Sequence, residues 1–176
     1  MALDTTPGSA TADSYVSMTD ADAYHLAHGG EAWLAPSVDD ERKEAALRSA
    51  TRYLDSTYRG RWKGIRATAA QALAWPRREV FDEDSYDLAD DAIPKAIVDA
   101  ACEAALLIIQ GVQLMPQLAR GGMVKSESVT AGPVSTTTTY MDSAPGRDRF
   151  LAVEGALSGL LERSFGGGAT VDLLRV

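Results

Sequence analysis

Apolar residues recur at helical spacing in two long segments, and this pattern constrains the fold more than any other feature of the sequence. Residues 37–60 carry aromatic and aliphatic residues on one helix face and basic residues on the other, which predicts an amphipathic helix. Residues 94–111 carry an alanine-rich stripe that lets neighbouring helices approach closely, so we expect this helix at the centre. The two stripes comprise Ala46, Leu47, Ala50, Tyr53, Leu54 and Tyr58, and Ile93, Ile97, Ala100, Ala101, Ala104, Leu107 and Ile108.

Shorter patterns extend the helical content. Ser37 is the expected N-cap of the amphipathic helix, and Thr19 is the expected N-cap of an earlier short helix. Thr68 and Gln71 have the spacing of a capping box, which predicts a further short helix before Pro76. A last helix is predicted from about residue 147. The expected fold class is therefore mainly α, a small bundle of about four to five helices with extended terminal arms.

A β-hairpin is predicted at about 123–141. Residues 123–130 and 134–141 are rich in Val, Ser and Thr, and an Ala-Gly-Pro turn lies between them. Residues 135–139 offer almost nothing to bury, and a polar two-stranded hairpin is marginal on its own. We therefore expect the hairpin to project from the bundle and to be held by a partner.

The composition along the chain predicts three sections. Residues 1–13 are expected to form a flexible N-terminal arm, residues 14–165 the helical domain, and residues 166–176 a glycine hinge with an apolar tail. The start of the chain lacks the basic and apolar regions of a signal peptide. The longest apolar run, residues 104–109, is far shorter than the ~20 residues that cross a membrane. We therefore expect a soluble protein without a membrane partner.

Charge is distributed unevenly along a chain whose net charge is −8. Residues 42–78 hold ten basic and two acidic residues, whereas residues 79–91 hold seven acidic residues and no basic ones. The simplest interpretation is that the two blocks face each other, within one subunit or between copies. An acidic chain is not an obvious nucleic-acid binder, because affinity comes mainly from neutralising phosphates, although a local basic stripe can still bind. The acidic loop comprises Glu79, Asp82, Glu83, Asp84, Asp87, Asp90 and Asp91.

The strongest indication of a ligand is the basic-aromatic segment, residues 58–78. Proteins often bind single-stranded nucleic acid by stacking bases on aromatic side chains within a positive groove, so this segment is a candidate DNA site. The alternative is that Trp62 and Trp75 pack on the helical core while arginine stems cover them. The candidate contacts, with DNA or between subunits, are Arg59, Arg61, Trp62, Lys63, Arg66, Trp75 and Arg77.

Residues suited to catalysis or metal binding are sparse. Asp22, His25, His28 and Glu31 share helical spacing, but such a set at a helix end is more simply a solvated face than a closed metal site. Cys102 is the single cysteine, which excludes an internal disulfide, and its alanine-rich surroundings predict a small buried hydrophobic residue. The sequence has no phosphate-binding loop and no nucleotide fingerprint. We therefore expect a non-enzymatic protein with no metal and no cofactor.

Several short segments occur together in one order. They are Ser14-Tyr-Val-Ser17 with Ala21-Asp-Ala-Tyr24, Ala45-Ala-Leu47 with Ala50-Thr-Arg-Tyr-Leu-Asp55, Arg61-Trp-Lys-Gly64, Gln71-Ala-Leu-Ala-Trp-Pro-Arg77, Ile93-Pro94 with Ala101-Cys-Glu103, and Gly122-Met-Val-Lys-Ser-Glu127. In this order they resemble the head–tail connector proteins of tailed phages, also called adaptor or head-completion proteins. Related sequences are often labelled DnaT-like single-stranded DNA-binding proteins. The resemblance spans roughly residues 14–165.

The resemblance implies a structural protein of the virion neck, made in the cytoplasm of a bacterial host. It implies a homo-oligomeric ring, typically a dodecamer, that lies below the portal protein, extends the DNA channel and docks the tail, stopper or tail-terminator protein. In such a ring the acidic loop is a candidate channel lining, and the tail is a candidate portal-docking segment through Val171, Leu173, Leu174 and Val176. The alternative function is a single-stranded DNA-binding module that uses the basic-aromatic segment.

Overall fold

Four α-helices and two antiparallel strand pairs make up the described part of the chain, which comprises residues 2–82, 84–115, 127–131, 134–138 and 150–162 of a computed structural model. The predicted mainly α fold with a hairpin is confirmed. The helices are α1 (Met18–His28), α2 (Asp40–Thr57), α3 (Lys95–Ile109) and α4 (Leu151–Leu157), and a 3-10 turn (Ser158–Leu160) follows α4. The strands are β1 (Ile65–Arg66), β2 (Arg77–Arg78), β3 (Glu127–Ala131) and β4 (Val134–Thr138).

The core lies where α2 and α4 pack against α3, and α1 contacts both α2 and α3. Every residue of the predicted α2 stripe is buried. In α3 the small residues of the stripe are buried as expected, but Leu107 and Ile108 are only half-buried. Ala105 and Ile109 take buried positions instead, so the face that α3 turns to its neighbours differs slightly from the predicted stripe.

Two helices begin at other residues than predicted. The side chain of Ser17 caps α1 in place of Thr19, and the side chain of Asp39 caps α2 in place of Ser37. Both capping residues have extended backbone, which lets their oxygens accept the backbone N–H three residues later, at 3.1 Å for α1 and 2.8 Å for α2. Pro94 occupies the N-cap of α3, and α3 has no side-chain cap.

The short helix predicted after Thr68 is wrong, although the hydrogen bonds of its capping box form. The Thr68 N–H donates to Gln71 Oε1 at 2.8 Å, and the Gln71 N–H donates to Thr68 Oγ1 at 3.2 Å. The buried Gln71 amide also donates to the carbonyls of Leu73 and Pro76, which bends the following residues away from helical geometry. The segment instead joins β1 to β2, which pair in the register Ile65↔Arg78.

Residues 2–13, where a flexible arm was expected, form a loop around the carboxylate of Asp4. The backbone N–H of Asp4 donates to Asp13 Oδ1 at 2.9 Å, and the hydroxyl of Thr11 donates to Asp4 Oδ2 at 2.7 Å. The Thr11 bond is the main cause that lowers the pKa of Asp4 to about 2. A hydrogen bond from the Ala72 N–H to the Ser9 carbonyl, at 2.9 Å, holds this loop against the segment between β1 and β2. The division into three sections stays a prediction.

The predicted hairpin is confirmed at 127–138. Strands β3 and β4 pair antiparallel from Glu127↔Thr138 to Ala131↔Val134. Among the described residues each of these strands pairs only with the other. None of the helices in the described ranges combines the length and the hydropathy needed to cross a bilayer.

Candidate nucleic-acid interface

The tryptophans of the basic-aromatic segment belong to the core. Trp62 and Trp75 are 4% and 0% exposed. Their ring centroids lie 5.8 Å apart in an edge-to-face pair, and the Trp62 ring lies 5.5 Å from the Tyr58 ring. The core-packing interpretation is therefore confirmed. The other interpretation, base stacking on Trp62 and Trp75, is not supported, since neither indole presents a free face to a ligand.

Arg77, a predicted ligand contact, is an internal clamp. Its guanidinium donates to the carbonyls of Lys63 at 2.7 Å, Gly64 at 2.6 Å and Ala74 at 3.3 Å. Burial lowers the pKa of Arg77 from its ordinary value, but an arginine stays charged in a protein. The three bonds hold the turn before β1 and the residues before β2 together. Arg77 thus positions the segment and has few donors left for a ligand.

Two other predicted contacts are also engaged by backbone carbonyls. Arg66 donates through Nη2 to the carbonyls of Ala69 and Gln71. Lys63 donates through Nζ to the Gly159 carbonyl at 2.6 Å and to the Phe81 carbonyl at 3.4 Å. Their charges still contribute to the local potential, but their side chains are held by the loops around them.

Arg59, Arg61, Arg66 and Arg78 are exposed, but Arg66 is held by the carbonyls named above. The other three guanidinium groups form no hydrogen bond among the described residues, and we call Arg59, Arg61 and Arg78 the arginine surface. In the part of the chain that the structure describes, no carboxylate forms an ion pair with any of the three. The Arg61 guanidinium lies 5.6 Å from the centroid of the Tyr58 ring, a distance at which the aromatic face attracts a cation. Arg78 was not among the predicted contacts, although it belongs to the basic-aromatic segment and is the neighbour of Arg77.

The turn that carries Arg61 lies directly against β2, where Arg78 is located. Gly64 has a φ of +66°, and a Cβ there would lie 2.2 Å from the Arg78 carbonyl oxygen. A glycine is therefore required for this close approach of turn and strand. Gly64 and the Arg77 clamp together hold the turn that follows Arg61 against the strand that carries Arg78.

A buried network underlies this surface. The Tyr15 hydroxyl donates to the Asp55 carboxylate and accepts from the Trp75 N–H at 3.3 Å. The Ala74 N–H donates to the second Asp55 oxygen at 3.0 Å. Burial raises the pKa of Asp55 above its ordinary value, although its hydrogen bonds and the charges of neighbouring arginines oppose this. The network joins the residues just before α1, the helix α2 and the residues before β2.

Sequence reasoning assigned Tyr15 and Asp55 no role in the site. Their position in the helix could have indicated a role. Thr51 and Asp55 are polar residues beside the buried stripe of α2, and Leu54 lies between them in the sequence. A polar residue at such a position needs a partner, since burial without one is costly. The partner itself, Tyr15, lies 40 residues away in sequence and could not be read from local spacing.

The acidic loop and the C-terminal tail are the two segments predicted to take part in a connector ring, the loop as channel lining and the tail in portal docking. The acidic loop is irregular, and Asp82 Oδ1 accepts the N–H groups of Asp84 and Tyr86 at 2.9 and 2.8 Å. Among the described residues no ion pair joins this loop to the basic block within the subunit. That the loop lines a channel stays a prediction. Exposed acids are Glu79, Asp84, Asp87, Asp90 and Asp91, whereas Glu83 and the tail residues Val171, Leu173, Leu174 and Val176 lie outside the described residues.

The predicted solvated face of α1 is exposed at His28 and Glu31, whereas His25 and Asp22 are used for packing. His25 is buried, with its ring centroid 4.8 Å from that of Trp33. Asp22 accepts from Trp33 Nε1 at 2.7 Å and from Lys43 Nζ at 2.8 Å. Within the described ranges no cluster of acidic, histidine or cysteine side chains is suited to hold a metal ion. Cys102 is buried as predicted, and burial raises its pKa to about 12, which makes the thiol unreactive.

Comparison with known proteins identifies the family of this chain but no individual relative. No curated protein and no solved structure matches it. One family model matches residues 1–176 and so includes the arginine surface, the acidic loop and the tail. The chain therefore belongs to the family described as "Putative DnaT-like ssDNA binding protein".

Proposed function

We propose that this protein binds single-stranded DNA by contacting its phosphates with Arg59, Arg61 and Arg78. The observation that carries the proposal is the arginine surface itself, three exposed guanidinium groups that no carboxylate neutralises in the described part of the chain. The family description supports single-stranded DNA as the partner. The proposed role is binding alone, without catalysis.

The mode of binding differs from the groove of stacked bases that the sequence suggested. Because Trp62 and Trp75 are buried, the contacts are electrostatic, and each planar guanidinium can donate two hydrogen bonds to one phosphate. The Arg77 clamp holds the turn and the strand in place, so little order has to be gained on binding. The net charge of −8 repels DNA elsewhere, which confines binding to this surface and makes it weak.

A salt titration tests this proposal. The affinity for a fluorescein-labelled oligo-dT is measured by fluorescence anisotropy at several salt concentrations. Each phosphate contact to a single strand contributes about −0.7 to the slope of log K against log salt, so three contacts predict a slope of about −2. Changing one of the three arginines to alanine lowers the affinity and makes the slope shallower by about 0.7.

Arg42→Ala is the matched control, because Arg42 is an exposed arginine at the start of α2, away from the arginine surface. Arg42→Ala removes one positive charge, as does each single alanine variant of the arginine surface. General attraction to DNA therefore falls equally in the control and in those single variants. An unchanged slope in the triple variant Arg59→Ala/Arg61→Ala/Arg78→Ala contradicts the proposal. A slope equally reduced by Arg42→Ala contradicts it as well. A duplex of the same length shows whether single strands are preferred.

A second candidate function is a head–tail connector ring in the phage virion, and the hairpin is the observation that favours it. Strands β3 and β4 are five residues each and pair only with each other in the described ranges. A two-stranded hairpin of this kind is marginally stable in water, so a neighbouring subunit or a portal protein would stabilise it. In this proposal the acidic loop faces the DNA channel, where repulsion lets the genome pass.

Electron microscopy of the purified protein, alone and with the portal protein of the same virus, tests the second candidate. A ring stacked below the portal supports it. A monomer that ignores the portal but binds oligo-dT with the predicted salt slope excludes the connector and supports the first proposal.

A further inference from the structure

Phe81 and Tyr86 are the exposed aromatic residues of the described ranges, at 51% and 71%. Every other tryptophan, tyrosine and phenylalanine that the structure describes is buried or half-buried. The Phe81 ring packs against no other aromatic ring of the described residues, and it does not belong to the hydrophobic core. Phe81 therefore presents a ring that the described part of the fold does not use.

Phe81 lies beside the arginine surface. It follows Arg78 by three residues, a span of at most about 11 Å in extended chain. The turn that follows Arg61 contacts this segment at both ends, because Gly64 closely approaches the Arg78 carbonyl and Lys63 Nζ lies 3.4 Å from the Phe81 carbonyl. The ring and the strand arginine are thus held along one turn.

The backbone between Arg78 and Phe81 leaves both side chains exposed. In a regular strand the side chains alternate between faces, so Arg78 and Val80 would share one face. Glu79 has a φ of +60° and interrupts this alternation. Val80 is consequently buried, whereas Arg78 and Phe81 on either side of it are exposed.

We propose that Phe81 stacks on one base of the single strand whose phosphate Arg78 contacts. This inference rests on the proposed function and adds a base contact to its phosphate contacts. Aromatic side chains beside a positive surface bind single-stranded nucleic acid in this way, and stacking accepts every base because each has a π-face. The exposed ring thus takes the role that the buried Trp62 and Trp75 do not have.

The acidic residue nearest to Phe81 in the strand pairing fits a base better than a phosphate. Asp87 pairs with Phe81 in a β-bridge, so the two side chains share a face, and Asp87 is exposed. Its carboxylate repels a phosphate but not a neutral base. The strand is therefore oriented with its phosphate at Arg78 and its base at Phe81.

A strand without bases tests this contact. Fluorescence anisotropy compares oligo-dT with an abasic strand of the same length, which carries the same phosphates. Wild type should bind oligo-dT at least about 5-fold more tightly, as expected for one stacked base. Phe81→Ala should lose most of this preference, keep its affinity for the abasic strand, and retain the salt slope of about −2, because no charge is removed.

Further variants separate stacking from other effects of the substitution. Phe81→Leu keeps an apolar side chain without a π-face and should behave as Phe81→Ala does, whereas Phe81→Tyr keeps the ring and should behave as wild type does. Tyr86→Ala is the matched control. Tyr86 directly precedes Asp87, so its side chain alternates to the face opposite Phe81, and its removal should leave the preference unchanged.

The outcomes for this inference and for the proposed function are distinguishable. Equal binding of the two strands by wild type, or a preference that survives in Phe81→Ala, overturns the inference alone when the predicted salt slope is present. Equal losses in Phe81→Ala and Tyr86→Ala also overturn it. A wild-type oligomer that Phe81→Ala dissociates in size-exclusion chromatography assigns the ring to an interface between copies and overturns it as well. No salt-dependent binding of oligo-dT by wild type overturns the proposed function and this inference together.

Discussion

The substitution Tyr15→Phe isolates the hydroxyl group that joins three parts of the fold. Tyr15 is 3% exposed, and its hydroxyl both donates to Asp55 and accepts from the Trp75 N–H. Phenylalanine keeps the ring and removes only this group. The change therefore leaves a buried carboxylate with one donor fewer and a buried N–H without its acceptor.

The expected loss follows from these two partners. A hydrogen bond to a charged group contributes roughly 1.5–3 kcal/mol, and an unsatisfied buried donor costs about 1–3 kcal/mol. Since the two effects are coupled, we expect the free energy of unfolding to fall by about 2–4 kcal/mol. With a urea m-value of about 2 kcal/mol/M, the unfolding midpoint falls by about 1–2 M.

The pH dependence of this loss sharpens the test. Burial raises the pKa of Asp55 in the folded state, so the contribution of this group is present in acid and is lost as the pH rises through its folded pKa. The Tyr15 bond opposes that rise in pKa, and its removal raises the pKa of Asp55 further. The loss of stability should therefore be larger at about pH 7 than at about pH 4.

Urea denaturation followed by tryptophan fluorescence and circular dichroism provides the measurement, and Tyr86→Phe provides the control. Tyr86 is 71% exposed, so the same substitution there should change stability by less than about 0.5 kcal/mol. If Tyr15→Phe is as mild as Tyr86→Phe, or if its effect is the same at both pH values, the argument from the buried network fails.

Three further predictions concern single positions. Gly30→Ala should lower the free energy of unfolding, measured by urea denaturation, by about 1–3 kcal/mol, because the new Cβ would lie 2.6 Å from His25 Nδ1. An unchanged free energy would contradict this packing. Gly155→Ala should raise the free energy of unfolding by about 0.5–1 kcal/mol, since alanine favours the helix and its Cβ would meet no atom within 4 Å. A lower free energy of unfolding would contradict this prediction. Burial lowers the pKa of His25, so its contribution to stability is present above about pH 6.5 and is lost as the pH falls through the folded pKa. His25→Gln should flatten this acid-induced loss between about pH 7 and pH 5, with the exposed His28→Gln as control, and an unchanged pH profile would refute it.

Local pattern was sufficient for the main helices. The stripe of α2 is buried at every predicted position, because the 3.6-residue repeat alone decides which side chains share a face. The hairpin was predicted for the same kind of reason, from a turn between two segments of high β-propensity. Local pattern was insufficient after Thr68, where a short helix was predicted. The capping box formed, but the Gln71 side-chain amide donates to the carbonyls of Leu73 and Pro76, and no helix follows.

The candidate site could be predicted only as a region. That Trp62 and Trp75 are large apolar groups in a basic segment was visible in the sequence, but both interpretations of them were consistent with it. Trp62 packs against Trp75 and against Tyr58 at the end of α2, and it forms a β-bridge with Leu161, which lies about 100 residues away in the chain. The Tyr15–Asp55 network is equally non-local, since its members come from three separate segments.

The sequence by itself determined the helical class, the buried stripe of α2 and the position of the positive charge, because hydrophobicity, spacing and charge belong to the residues. Only the tertiary structure decided which cations are free. Arg77 and Arg78 are identical neighbours, yet Arg77 is engaged by the carbonyls of Lys63, Gly64 and Ala74 while Arg78 is exposed. The physical reason is that a guanidinium group donates to whichever carbonyls the fold places near it. Here those carbonyls belong to turns that come together only in the folded chain, so local sequence patterns do not predict them.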